Sequence, residues 1–155
     1  MRKQHGFSLI ELLIVVAIIL IIAAIAVPNL MRSRMSANEA SAEGSVRTVL
    51  SAEAMYQQNN NGNYASLSDL ATTANGNLID STLSAAVDAA HAKSGYVFGL
   101  TLTNTNTSFV IGAAPASSST GTRIFCADQT NVIHNPGTGT TVPTTCDPAS
   151  PTVGN

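Results

Sequence analysis

The chain has 155 residues, of which 45% are hydrophobic and only 10% are charged, so it is too apolar for a disordered tail and suits one domain. A formal net charge of −2 gives no basic surface for neutralising phosphates and argues against nucleic-acid binding as the main task. The apolar residues are concentrated: sixteen follow one another between Leu12 and Val27, whereas the last third is rich in Thr, Ser, Gly, Pro and Asn. This uneven distribution predicts that one part of the chain lies in an apolar environment and another part in water.

The N-terminus has a polar, basic stretch followed by an apolar run. Residues 1–6 include Arg2 and Lys3, and the 21 residues from Phe7 to Val27 would form a helix about 30 Å long. That length is enough to cross the hydrocarbon core of a bilayer. Because basic flanks tend to stay in the cytoplasm, everything after Val27 is predicted to lie on the far side of the membrane.

Three interpretations of this run compete: a signal peptide cut after Ala24–Ala26, an ordinary membrane anchor, or a more specialised segment. Glu11 distinguishes them. A carboxylate costs about 2 to 3 kcal/mol at the centre of a membrane helix and less near an interface, so it needs a partner or a task. Signal peptides do not usually carry a carboxylate at this place, and Glu11 therefore favours the specialised segment.

A helical pattern continues beyond Pro28 and ends at the Asn-rich turn 59–62. At 100° per residue one face carries Met31, Met35, Ala42, Val46, Val49, Leu50 and Tyr56. Asn38 and Glu53 interrupt this apolar stripe. Pro28 cannot donate to the carbonyl of Ala24, so we expect a kink or local melting there and treat Pro28 as a hinge candidate.

Two short helices are predicted after the turn. Residues 67–70 form one helical turn, and Asp80 is expected to cap a helix that carries Leu83, Val87 and Ala90. His91 lies near the end of that helix, where a cation suits the helix dipole, and we assign it no ligand role.

Three or four short strands are predicted in the second half of the chain. From residue 96 to 102 large apolar residues alternate with smaller ones, which is typical of a half-buried strand. A turn at 104–106 leads to a second strand with Phe109, Ile111 and Ala113 on one face. Two further strands fit 122–126 and 131–134. An antiparallel sheet of these strands would cover the amphipathic half of the long helix, which gives an α+β fold.

The two cysteines, Cys126 and Cys146, lie twenty positions apart with no CxxC motif and no neighbouring His at ligand spacing, so we predict no zinc site. The sequence also has no phosphate-binding glycine loop and no clustered metal ligands in a convincing spacing, so no other metal or cofactor is predicted. Outside the cytoplasm a disulfide is the default, worth roughly 3 kcal/mol for a loop of this length, and two free, partly buried thiols are the alternative. The bond would tie down residues 135–155, which are too polar to pack alone. If it forms, Asp128 and Asp147 could approach each other, and a calcium site there is the alternative to the predicted absence of a metal.

Residues 6–19, GFSLIELLIVVAII, with Ala26-Val27-Pro28 after them, resemble the N-terminal signature of type IV pilins and pseudopilins. The signature needs a short basic leader that ends in Gly, then Phe, and then Glu as the fifth residue of the cleaved chain. The resemblance covers about the first 35 residues and is only general beyond residue 60. It implies cleavage by prepilin peptidase between Gly6 and Phe7, N-methylation of Phe7, and a pairing of Glu11 with the Phe7 amine of a neighbouring subunit that sets the register.

The resemblance also implies how the chain is organised and used. Residues 1–6 would be the leader, 7–28 the transmembrane and filament-core helix, 29–60 its amphipathic half, and 61–155 a globular α+β domain with a disulfide-closed C-terminal loop. The expected function is the major structural subunit of a type IV pilus, without enzymatic activity. The expected partners are other copies of the chain, the peptidase and methyltransferase, the pilus assembly machinery, and membrane lipid before assembly.

The expected location is the inner membrane first and then the extracellular filament. Two alternatives stay open. The chain could instead be a major pseudopilin of a type II secretion system, which would share the same N-terminal helix. From another class, it could be a helix-anchored binding module of the envelope, which would not need cleavage between Gly6 and Phe7.

Overall fold

The computed structural model describes residues 7–153, which form two compact units that divide between Arg34 and Met35. The first unit is helical. The second combines helices with an antiparallel sheet, so the predicted α+β fold is confirmed. The elements in chain order are α1 (Leu9–Asn59), α2 (Leu67–Leu70), a 3-10 turn (Thr73–Asn75), α3 (Ser81–Ala85), β1 (Tyr96–Thr103), β2 (Ser108–Pro115), β3 (Arg123–Asp128) and β4 (Ile133–Thr138).

Helix α1 ends where the Asn-rich turn was predicted. Asn61 and Gly62 take positive φ angles of 56° and 84°, which reverse the chain, and the Gly62 amide donates back to the Gln57 carbonyl. Asn and Gly tolerate this left-handed conformation better than other residues. The turn therefore stops the helix for a local reason that the sequence displays.

Helix α1 passes through Pro28 without interruption, so the predicted local melting does not occur in this structure. Proline fixes φ near the helical value and removes only one donor, and the hydrogen bonds on both sides can keep the segment helical. One turn later, the hydroxyl of Ser33 donates to the Asn29 carbonyl. The role of Pro28 as a hinge stays a prediction.

In the second unit α1 buries the apolar face that its periodicity predicts. Ala42, Val46, Val49 and Leu50 are buried in the core. Glu53, which looked like an interruption of the stripe, is also completely buried. The face that contacts the core is therefore continuous, with one carboxyl group inside it.

The short helices follow local capping signals, but α3 is shorter than predicted. The side chain of Asp80 accepts from the Leu83 amide at 2.7 Å, as an N-cap should. The prediction that this helix carries Val87 and Ala90 is wrong, because α3 ends at Ala85. The carbonyl of Ala86 instead accepts from the Phe98 amide in β1 at 2.7 Å, which pulls the chain out of the helix.

The four strands form one sheet in the order β1-β2-β3-β4, with neighbouring strands antiparallel. Phe98, Ala113 and Phe125 stand side by side across the first three strands and are buried in the core. The first two strands match the prediction closely, whereas β3 and β4 begin and end later than predicted. The predicted turn is present, and Asn104, Thr105 and Asn106 all have positive φ.

The C-terminal segment is attached to β4 by backbone hydrogen bonds. The Asn135 amide donates to the Pro151 carbonyl and the Val153 amide to the Ile133 carbonyl, both at 2.8 Å. Nδ1 of the buried His134 donates to the Ser150 carbonyl at 2.8 Å. These bonds cover the edge of β4, in addition to the covalent tie that the sequence predicts.

Candidate functional site

The first half of α1 presents a large apolar surface. Between Phe7 and Met31 the large hydrophobic side chains are 47% to 83% exposed, and by length and composition the helix can cross a membrane. A soluble domain rarely exposes so much contiguous apolar surface. The segment therefore needs another apolar environment, either lipid or other protein helices.

A single carboxylate lies at the start of this surface and caps its own helix. Oε2 of Glu11 accepts from the Ser8 amide at 2.8 Å, and the Leu12 amide donates to the Ser8 carbonyl at 3.2 Å. Ser8 thus stands at the N-cap and Glu11 at the third helical position, which is the glutamate half of a capping box. Sequence reasoning missed this contact, although the S-x-x-E spacing is its signal.

The structure places Phe7 next to this cap, with its side chain 83% exposed. Gly6 and the leader lie outside the described residues, so the structure does not bear on the predicted cleavage. Within residues 7–153, Phe7 and Glu11 occupy the same end of the apolar surface. A positive amine created on Phe7 would be four positions from the Glu11 carboxylate.

In the second unit, polar residues of α1 fasten the helix to the start of β3. Oε1 of Glu39 accepts from the amides of Thr122 and Arg123 at 3.0 and 3.3 Å. The side-chain amide of Asn38 donates to the Thr120 carbonyl at 2.8 Å. Asn38, which appeared to weaken the amphipathic pattern, therefore satisfies a backbone acceptor at the rim of the core.

The predicted disulfide is present and closes a loop over the sheet. Cys126 in β3 and Cys146 are bonded, with their Cα atoms 5.6 Å apart, and Cys126 is completely buried. The residues directly opposite Cys126 in the sheet are Gly112 on β2 and His134 on β4. The bond therefore anchors the loop at the middle of the sheet rather than at its edge.

The two aspartates considered for calcium each stabilise a turn. Oδ1 of Asp128 accepts from the Thr130 amide at 2.8 Å, and Oδ1 of Asp147 accepts from the Ala149 amide at 2.9 Å. Within residues 7–153 no group of three or more His, Cys, Asp or Glu side chains is placed to hold a metal ion. Both carboxylates have backbone partners that account for their presence.

Comparison with known proteins gives one family model and several relatives that each match part of the chain. Residues 1–27 match the family model described as the prokaryotic N-terminal methylation motif. Over 61 residues, 39% of this chain and 47% of the relative, the chain is 46% identical to the type IV wide pilus major component PilA4 of Thermus thermophilus. It is 39% identical over 59 residues to the type II secretion system core protein G of Pseudomonas aeruginosa, covering 38% and 42% of the two chains.

The core protein G of Escherichia coli is 36% identical over 58 residues, 37% of this chain and 40% of that protein. The matched region spans less than half the length of each of these relatives. No solved structure matches the chain significantly. The methylation motif and these partial matches show that the chain is similar to type IV pilus and type II secretion subunits, and the α+β fold with its long apolar helix fits that similarity.

Proposed function

We propose that this chain is the major structural subunit of a type IV pilus, in which the apolar half of α1 forms the filament core. The observation that supports this is the apolar surface between Phe7 and Met31, whose large side chains are exposed along its whole length. Lipid can solvate this surface before assembly, and the same surface of other subunits can bury it afterwards. A head-to-tail contact that does not close on itself generates a helical filament.

Glu11 gives the assembly its register in this proposal. In the single subunit its carboxylate already has a partner, the Ser8 amide at 2.8 Å, which lowers the cost of holding it near lipid. After cleavage the amine on Phe7 of a neighbouring subunit offers a stronger, charge-assisted partner. A misplaced subunit would leave a charge unpaired in an apolar bundle, at a cost of roughly 3 to 5 kcal/mol.

Pro28 is the proposed hinge of this process. Its missing N–H leaves the Ala24 carbonyl without its usual helical donor, so the helix is weakest there. It is intact in the single subunit. Packing of neighbouring helices in the filament would supply the force that opens this turn.

The proposal includes the processing and location of the subunit. Prepilin peptidase cleaves between Gly6 and Phe7, Phe7 is N-methylated, and the subunit waits in the inner membrane. Machinery in that membrane then extracts it into a filament outside the cell. The relatives that the chain resembles are named as a pilus major component and as secretion-system core proteins, and the chain is proposed to have no enzymatic role.

Intact-mass analysis of the protein purified from the envelope tests the proposal, together with electron microscopy of sheared surface fractions. We expect a chain that begins at N-methyl-Phe7, in both the membrane and the filament fraction. A chain that begins at Val27 would identify a signal peptide instead. A chain that keeps its leader would identify a permanently anchored binding module.

The alternative is a major pseudopilin of a type II secretion system, which is supported by similarity to several core G proteins of such systems. Both proposals predict the same mature N-terminus, so mass alone does not separate them. Deletion of the gene separates the two proposals. Loss of surface filaments with normal protein secretion supports the pilus subunit, and loss of secretion without loss of filaments supports the pseudopilin.

A further inference from the structure

Glu53 is a completely buried carboxyl group that the proposed assembly does not use. It lies on α1 in the second unit, on the same face as Val46, Val49 and Leu50. Its Oε2 accepts from the Ala65 amide at 3.0 Å. Its Oε1 is buried and has no hydrogen-bond partner among the described residues. A charge held there would be satisfied on one side only.

The single bond of Glu53 joins the end of α1 to the connector, defined as residues 60–66. The connector is held in turn by the hairpin turn, defined as residues 104–107, because the Tyr64 amide donates to the Asn106 carbonyl at 2.8 Å. The ring of Tyr64 also packs on Phe109 in β2, with centroids 4.6 Å apart. Glu53 is thus the first link of a chain of contacts from helix to connector to hairpin.

No charged group of the described residues compensates Glu53. On α1 the ionisable side chains nearest to Glu53 in the sequence are Arg47, which pairs with Glu43, and Tyr56. The connector carries Tyr64 and α2 carries Asp69, and none of these groups forms an ion pair with Glu53. The hairpin has no ionisable side chain between Val97 and Ala114. Burial therefore dominates and raises the pKa of Glu53 from 4.5 to about 7, although the Ala65 amide partly opposes it.

We propose that Glu53 is a pH-responsive latch: as the neutral acid it keeps the connector docked on α1, and as the carboxylate it releases the connector and the hairpin turn. The acid can accept from the Ala65 amide while it remains buried. The carboxylate carries a charge that water solvates far better than the core, so ionisation favours any state in which the connector lifts and water reaches it.

The consequence is a surface whose mobility depends on pH. In the docked state Glu53 holds its proton up to about pH 7, whereas in the opened state it would lose it near 4.5. Opening therefore releases a proton between these values and becomes tenfold more favourable with each pH unit. The affected surface consists of the connector and the hairpin turn, and the inference does not depend on which filament the subunit builds.

Amide hydrogen exchange of the full-length protein in detergent micelles tests the latch. Protection factors of the Ala65 and Tyr64 amides are measured from pH 4.5 to 8, so that the intrinsic rise of exchange with pH is removed. For the wild type we expect a fall of roughly 150-fold between pH 4.5 and 8, most of it below pH 7, and a levelling off above pH 7. For Glu53→Gln we expect no such fall.

Glu43→Gln is the matched control, because Glu43 is a partly exposed carboxylate on the same helix that pairs with Arg47 at 2.7 Å. It should reproduce the wild-type profile. Identical profiles for the wild type and Glu53→Gln would overturn the proposal. If Glu53→Gln does not fold, the Glu53 carboxyl carbon is titrated by NMR in the wild type: a midpoint near 7 with a parallel shift of the Ala65 amide supports the latch, and a midpoint near 4.5 overturns it.

Discussion

Gly112 in β2 lies so close to Pro143 in the C-terminal loop that a Cβ atom on Gly112 would overlap the Pro143 carbonyl oxygen. A Cβ on Gly112 or on Gly99 would also approach Cγ1 of Val142, to 2.9 and 3.0 Å. Gly99 pairs with Gly112 and Gly112 with Cys126, so two glycines and the disulfide form one row across the sheet. The loop lies in a groove that is open because Gly99 and Gly112 have no side chains.

Substitution of Gly112 by Ala should therefore destabilise the second unit. We expect a loss of about 1 to 3 kcal/mol in the free energy of unfolding, because the loop or the strand must move to admit the methyl group. Denaturant unfolding of the full-length protein in detergent measures it. Gly44→Ala is the control: its Cβ would meet nothing within 4 Å on an exposed helical face, and it should gain about 1 kcal/mol.

Removal of the disulfide should loosen the tail more than the helix. Cys146→Ser is expected to cost about 3 kcal/mol and to lower the protection of the Asn135 and Val153 amides, which bond the tail to β4. The amides of α1 between 42 and 53 should keep most of theirs. Hydrogen exchange by mass spectrometry measures both. Reduced wild type should behave like the variant, and free thiols on both cysteines before reduction would contradict the bond.

Local signals in the sequence predict much of the second unit. The alternation from residue 96 to 102 predicts β1, and the Asn-rich stretches predict the turns at 59–62 and 104–106. Asp80 predicts the start of α3. The end of α3 is not a local property. The chain leaves the helix at Ala86 because the Ala86 carbonyl accepts a hydrogen bond from the Phe98 amide in β1. No pattern within residues 80–90 predicts this long-range contact.

The residues of the candidate site also fall into those that the sequence predicts and those that only the folded structure reveals. Gly6, Phe7 and Glu11 follow from a contiguous motif, so the sequence predicts them as a group. Periodicity misjudged Glu53, because burial of a carboxyl group is decided by a loop amide twelve residues further along the chain. The position of the C-terminal loop on the sheet cannot be predicted from the sequence either, because Gly112 and Pro143 come together only in the folded protein.

The cap of α3 provides a prediction with a pH dependence. The Thr82 hydroxyl, and then the Leu83 amide and Lys93, hold the pKa of Asp80 at about 2 instead of 3.8. Because the folded pKa is the lower one, this contribution is present above pH 3.8 and is lost as the pH falls through 2. About half of the side chain is exposed, so solvent screens the charge and the pH-dependent part is small.

Asp80→Ala should therefore cost about 1 kcal/mol at neutral pH, mainly through the lost cap. Asp80→Asn is the matched variant, since it keeps an oxygen for the Leu83 amide and should lose only a few tenths of a kcal/mol. Thermal unfolding at pH 7 compares the two. Equal losses for Ala and Asn would show that the charge, rather than the cap, carries the effect.

The assembly role of Glu11 can be separated from its role as a cap. Glu11→Gln keeps an oxygen for the Ser8 amide but removes the charge, whereas Glu11→Ala removes both. Both variants should insert into the membrane at least as well as the wild type, because the cost of a carboxylate near lipid is gone. Both should assemble poorly, since neither can pair with the Phe7 amine of a neighbouring subunit.

Membrane fractionation measures insertion, and the amount of sheared surface filament measures assembly. We expect the filament yield of Glu11→Gln to fall as far as that of Glu11→Ala, because the penalty of roughly 3 to 5 kcal/mol arises from an unpaired amine in the core and not from the cap. Glu43→Gln, which changes a carboxylate in the second unit, should assemble normally. If Glu11→Gln forms filaments at the wild-type level while Glu11→Ala does not, the cap to Ser8 is what assembly requires, and the pairing between subunits is wrong.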